Sequence, residues 1–85
     1  MVSYTVRMRE GVGPWNREVK GLWEESQAIE VAESWMDDAL RTEAQQSPYV
    51  GVFRVVRSVQ ERRVVEREYF VYGVAIVDGD IHEMG

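Results

Sequence analysis

Tyr69-Phe70-Val71-Tyr72-Gly73-Val74-Ala75-Ile76-Val77 is nine residues without a charge, closed by Asp78-Gly79. β-Branched and aromatic residues dominate it, as they do in strands buried on both faces. Even positions carry Phe70, Tyr72, Val74 and Ile76, and odd positions Tyr69, Val71, Ala75 and Val77. A chain of 85 residues offers one helix to cover one of those faces. What covers the other is the question that decides the fold.

The helix is read from period. Ala28, Ile29, Val31, Ala32, Trp35, Met36, Ala39 and Leu40 share one side, opposite Gln27, Glu30, Glu33, Ser34, Asp37, Asp38 and Arg41. Ser26 is the expected N-cap, behind Glu24 and Glu25, which suit the positive end of the dipole. Asp37 and Arg41 are spaced to pair, and Gln45-Gln46-Ser47-Pro48 ends the segment. Phe70, Val74 and Ile76 are expected beneath Ala28, Ala32, Trp35 and Ala39.

Residues 3–9 alternate Tyr4, Val6 and Met8 with Thr5, Arg7 and Arg9, as a half-buried strand does. The turn Gly11-Val12-Gly13-Pro14-Trp15-Asn16 leads to a short antiparallel strand over 17–23. Its glycines lack the third Gly, the following helix and the Lys-Ser/Thr of a phosphate loop. A further strand, Tyr49 to Val59, turns over Gln60-Glu61-Arg62-Arg63 into the opening stretch. The register that sets Phe53 opposite Phe70, Val52 opposite Val71, Arg57 opposite Glu66 and Val59 opposite Val64 matches aromatic with aromatic and charge with counter-charge. The segment from 57 to 66 then projects as a charged arm. A helix starting at Ser58, with Glu61 completing a capping box, is the competing reading, and Val64-Val65 opposes it. The expectation is an α+β fold, β-β-α-β-β. It is one domain over residues 1–85, a four-stranded antiparallel sheet with one amphipathic helix on one face. Asp80 to Glu83 is a candidate for a brief returning strand after the Asp78-Gly79 turn.

Composition narrows function. Without cysteine there is neither a disulfide nor a thiolate metal site to staple a small core, which leaves association with another chain. No apolar run reaches a membrane span and no basic-then-apolar leader opens the chain, so a soluble, cytoplasmic protein is expected. Nine of the ten basic residues are Arg, the usage of high-GC bacterial or phage coding. The net charge of −5 is unevenly spread: residues 21–48 hold seven acids and one Arg, whereas 49–70 hold five bases and three acids.

The one imidazole, His82, stands near the chain end, and no carboxylate pair has a desolvating neighbour, so no catalytic residue, cofactor or metal is assigned. Asp78, Asp80 and His82 alternate, and an extended backbone would aim all three one way, as a cation site would need; a polar turn and a frayed tail is the preferred reading of them. Three surfaces remain. Val50, Val52, Val71, Ala75 and Val77 face away from the helix and suit a homodimer contact. Glu30, Glu33 and Asp37 form an acidic stripe suited to a basic protein surface. Arg7, Arg9, Arg54, Arg67 and Tyr69 share the outer sheet face in the expected register, an arrangement that can grip single-stranded nucleic acid, although no diagnostic strand motif accompanies it. Trp15 either closes the edge of the core or stands out as an anchor. The expected function is a non-enzymatic protein–protein interaction module, a homodimer or complex subunit; the alternative is single-strand binding. Size, acidity and pattern match those of small phage- or bacterium-encoded regulators and inhibitors, a likeness of class that no motif carries.

Overall fold

The computed structural model describes residues 1–45, 48–61 and 65–84. In chain order the elements are β1 (Val2–Glu10), β2 (Arg17–Leu22), α1 (Glu25–Arg41), a 3-10 turn (Glu43–Gln45), β3 (Val50–Glu61), β4 (Val65–Val77) and β5 (Asp80–Glu83). One antiparallel sheet runs in the order β2-β1-β3-β4-β5, with α1 across one face, chiefly over β1 and β3. The sheet therefore has five strands rather than the four expected, because Asp80–Glu83 pairs fully with Val74–Val77. Asp78 and Gly79 have φ of 49° and 88°, the left-handed pair that a two-residue hairpin turn needs. Asp78 is also tied down: its N–H donates to the Tyr49 carbonyl at 2.8 Å, and its carboxylate accepts from the Tyr49 N–H at 2.9 Å.

α1 keeps its expected length and buried side, with Ala28, Ala32, Trp35, Met36 and Ala39 turned inward. Three of these five are alanines, which let the helix axis approach the sheet. Its ends differ from expectation. Glu24 is the N-cap and makes no side-chain capping bond, so Ser26 lies within the first turn. Arg41 pairs with Asp38 at 2.9 Å and meets Asp37 only through its main-chain oxygen. The helix stops at Arg41; of the expected terminator, Gln46 and Ser47 lie outside the described residues. At 1.5 Å per residue α1 spans about 25 Å, against about 40 Å for β3 at 3.3 Å per residue. The helix leaves the β3–β4 arm bare, and the molecule measures 46 × 24 × 21 Å.

The pairing of β3 with β4 departs most from the sequence reading. Phe53 faces Val74, Val52 faces Ala75, Arg57 faces Tyr69 and Val59 faces Arg67. Of the expected turn, Arg62 and Arg63 lie outside the described residues, as does Val64, the expected partner of Val59. Residues 50–61 are strand throughout, which removes the helix considered at Ser58. Cross-strand matches are worth tenths of a kcal/mol to about 1 kcal/mol each. Burying Phe53, Val74 and Ile76 together is worth several times that, and all three are at most 1% exposed.

β4 also carries a bulge. Tyr72 faces Val55 and Phe70 faces Val56, which leaves Val71 without a partner. One extra residue reverses the parity of everything before it. Phe70 consequently leaves the helix side, where it was expected, and is 45% exposed on the opposite face. Val71 makes the reverse move: expected on the open face, it is half-buried against the core beside Tyr72. Gly73 accommodates the change, since a Cβ there would stand 2.9 Å from Cε2 of Phe70, whose ring folds over it.

Candidate interaction surface

The sheet face opposite α1 is built by the residues that alternate with the core. Arg7 and Arg9 come from β1, Val50, Val52, Arg54, Val56 and Ser58 from β3, and Glu68, Phe70, Gly73, Ala75 and Val77 from β4. Arg7 lies directly opposite Arg54, a like-charge pairing that costs energy unless each finds a counter-charge or a ring.

Arg7 finds carboxylates. Its Nε donates to Glu18 of β2 at 2.6 Å and one terminal nitrogen donates to Glu68 of β4 at 2.9 Å, with a second, shorter bond to Glu68. The Glu68 hydrogen bond raises the Arg7 pKa against the opposing cost of burial, and Glu18 adds to the rise. The same bond to Arg7 lowers the Glu68 pKa below the ordinary carboxylate value. The Glu68 side chain is 41% exposed, so solvent screening limits the pair to no more than about 1 kcal/mol. A lowered carboxyl pKa adds stability above its unfolded value, and that stability is lost as pH falls through the folded one. Glu68→Gln should therefore melt a few degrees below wild type at pH 7. The gap should close below the ordinary carboxylate range, as thermal denaturation followed from neutral to about pH 3 will register.

Arg54 and Arg9 find rings instead. The Arg9 guanidinium lies 5.0 Å from the Trp15 ring centre, and the Arg54 guanidinium lies 5.5 Å from both Trp15 and Phe70. The loop after β1 thus folds across the outer face. Trp15 is half-buried there, among arginines, rather than closing the edge of the helix-side core. Among the described residues Arg9 reaches only the Gly13 carbonyl, at 3.5 Å, and the buried Nε atoms of Arg9 and Arg54 have no acceptor. Each stacked pair contributes about 0.5–1 kcal/mol.

The bulge divides the expected arginine set. Arg7, Arg9 and Arg54 share the outer face, whereas Arg67 and Tyr69 stand opposite Val59 and Arg57 on the helix side of the arm. Arg57 stacks over Tyr69 at 5.3 Å. The apolar set divides too. Val50 is 38% exposed, Ala75 and Val77 are half-buried, Val52 is only 7% exposed, and Val71 belongs to the core side. Glu30, Glu33 and Asp37 are all exposed on α1.

Phe70 and the carboxylates Glu18 and Glu68 are parts of this surface that the sequence reading missed. Gly73 was the available signal, since a glycine inside an apolar strand marks a bulge or a close approach. Elsewhere, a cleft of about 260 Å³ at the C-terminal end of α1 is lined by Met8, Glu10, Arg17, Trp35, Asp38 and Glu43. Arg17 forms part of its wall, stacked on Trp35 at 4.3 Å. Asp78 spends its carboxylate on Tyr49, while Asp80 and His82 stand on β5 opposite Val77 and Ala75. Among the described residues no three acidic, histidine or cysteine side chains converge as a metal site would require. Among them, too, no helix is long and apolar enough to cross a membrane. No protein-family model, curated protein or solved structure matches this chain.

Proposed function

We propose that the chain is a non-enzymatic protein–protein interaction module that works as a homodimer, with the sheet face opposite α1 as its contact surface. The observation that carries this reading is that face itself. Phe70 and Val50 are 45% and 38% exposed on it, beside half-buried Trp15, Ala75 and Val77. Tryptophan, phenylalanine and arginine around a small apolar centre are what interface cores favour. Seating a second copy there leaves both acidic stripes, Glu30, Glu33 and Asp37, outward for a basic surface, as a small regulator or inhibitor of another assembly needs. Single-strand nucleic-acid binding is the second reading. The aromatic-on-arginine stack of Trp15, Phe70, Arg9 and Arg54 favours it; the loss of Arg67 and Tyr69 to the other face and the neutralisation of Arg7 weigh against it.

Sedimentation and melting across about 1–300 μM test the dimer. The expected result is a monomer–dimer equilibrium with a melting temperature that rises with concentration, and a folded monomer for Val50→Asp. A wild-type protein monomeric at about 100 μM, with a concentration-independent melting point, overturns the reading.

A further inference from the structure

The outer sheet face is polarised across its strands. Arg9 and Arg54 lie on β1 and β3, and Asp80 opens β5 opposite Val77, on the same face as Val50. Among the described residues Arg7 has two carboxylates, but Arg9 and Arg54 have none and Asp80 has no cation. Two half-buried guanidiniums beside an apolar patch are poised for carboxylates that arrive with a partner.

Resting on the homodimer reading, we propose that this partner is a second copy of the chain and that its Asp80 supplies the carboxylate to Arg9. Consider a two-fold axis running along the strands, between β3 and β4. In the order β2-β1-β3-β4-β5 it lays β3 over β4 and β1 over β5 of the other copy. Residues paired across the sheet then meet their partners' counterparts, so the exposed Val50 stacks over Val77, while the nearly buried Val52 only marks the row of Ala75. Arg9 shares its row, through Val52 and Ala75, with His82. Asp80 is two residues back along β5, an offset of about 7 Å along the strand; with about 10 Å between stacked sheets the Cα atoms stand roughly 12 Å apart, within the combined reach of an arginine and an aspartate side chain. The contact occurs twice, once from each copy, as an isologous interface requires. The same geometry sets the basic half of each face against the acidic edge of the other. Polyanionic nucleic acid suits this face less, since the chain as a whole carries −5.

Charge exchange tests the pairing by sedimentation, with circular dichroism and melting to establish that each variant is folded. Arg9→Asp and Asp80→Arg each turn two attractive contacts into two repulsive ones, and each alone should self-associate at least about tenfold more weakly than wild type. Mixed in equal amounts, the two variants form a heterodimer with one native contact and one reversed but attractive contact. Its affinity should return to within about threefold of wild type. A mixture no tighter than either variant alone overturns the pairing, as do variants that associate like wild type. Mixed-sequence single-stranded DNA that binds wild type and displaces the second copy also overturns it. A wild-type protein that never dimerises overturns the homodimer reading beneath it.

Discussion

Phe53→Ala should cost about 3–5 kcal/mol and Phe70→Ala about 1 kcal/mol or less. Both are phenylalanines of the two longest strands, and a register that sets them face to face would make them equally costly to remove. Phe53 is fully buried between β1 and β4, where it meets Met8 and Val74, so truncation leaves a cavity in a small core. Phe70 is 45% exposed and loses little beyond its stack with Arg54 and its cover over Gly73. For a domain of this size each kcal/mol shifts the melting temperature by roughly 4–8 °C, so the two variants should melt at least about 8 °C apart. Equal losses would place Phe70 beneath the helix and remove the bulge at Val71.

Tyr49 and Gly51 should behave as a coupled pair. Tyr49 is 7% exposed, and its hydroxyl is buried with no hydrogen-bond partner among the described residues. Burial raises its pKa, and the nearby charges of Glu10 and Glu43 raise it further, so the group stays a neutral phenol at physiological pH. Tyr49→Phe removes an unsatisfied polar atom and should leave stability unchanged or raise it by about 1 kcal/mol. Gly51→Ala should cost about 1–3 kcal/mol by overpacking. Its Cβ would lie 2.5 Å from the Tyr49 hydroxyl oxygen, 3.0 Å from Cζ of the same ring and 3.1 Å from Phe53 Cε2. With the hydroxyl already removed, part of that clash disappears, so the double variant should be more stable than the sum of the singles by at least about 0.5 kcal/mol. Urea unfolding of the four proteins in the cycle measures the coupling, and strict additivity would mean that the ring does not lie over Gly51.

Neighbouring residues determined much of the architecture without any tertiary information. The inward side of α1, the alternation of β1, the β1–β2 hairpin and the Asp78-Gly79 turn each rest on a period or a dipeptide, and these interactions span a few residues. The outcome at β5 shows the limit of that reading. Asp80 to Glu83 carries few apolar side chains, and what makes it a strand is the free edge of Val74–Val77 beside it. The interaction surface depended on tertiary structure more heavily still. Local pairing preferences among Phe53, Phe70, Arg57 and Glu66 amount to about 1 kcal/mol each, too little to resist the core's demand for Val74 and Ile76 under the helix. A single unpaired residue, Val71, then exchanged the faces of Arg67, Tyr69 and Phe70, because side-chain direction in a strand has a period of two and one insertion inverts it. Arg7 and Arg9 share a face by alternation, a property of the sequence, and the pairing of β1 with β3 sets Arg54 beside them. That Arg7 meets carboxylates while Arg9 and Arg54 meet rings was decided by which strands and which loop the fold laid beside them.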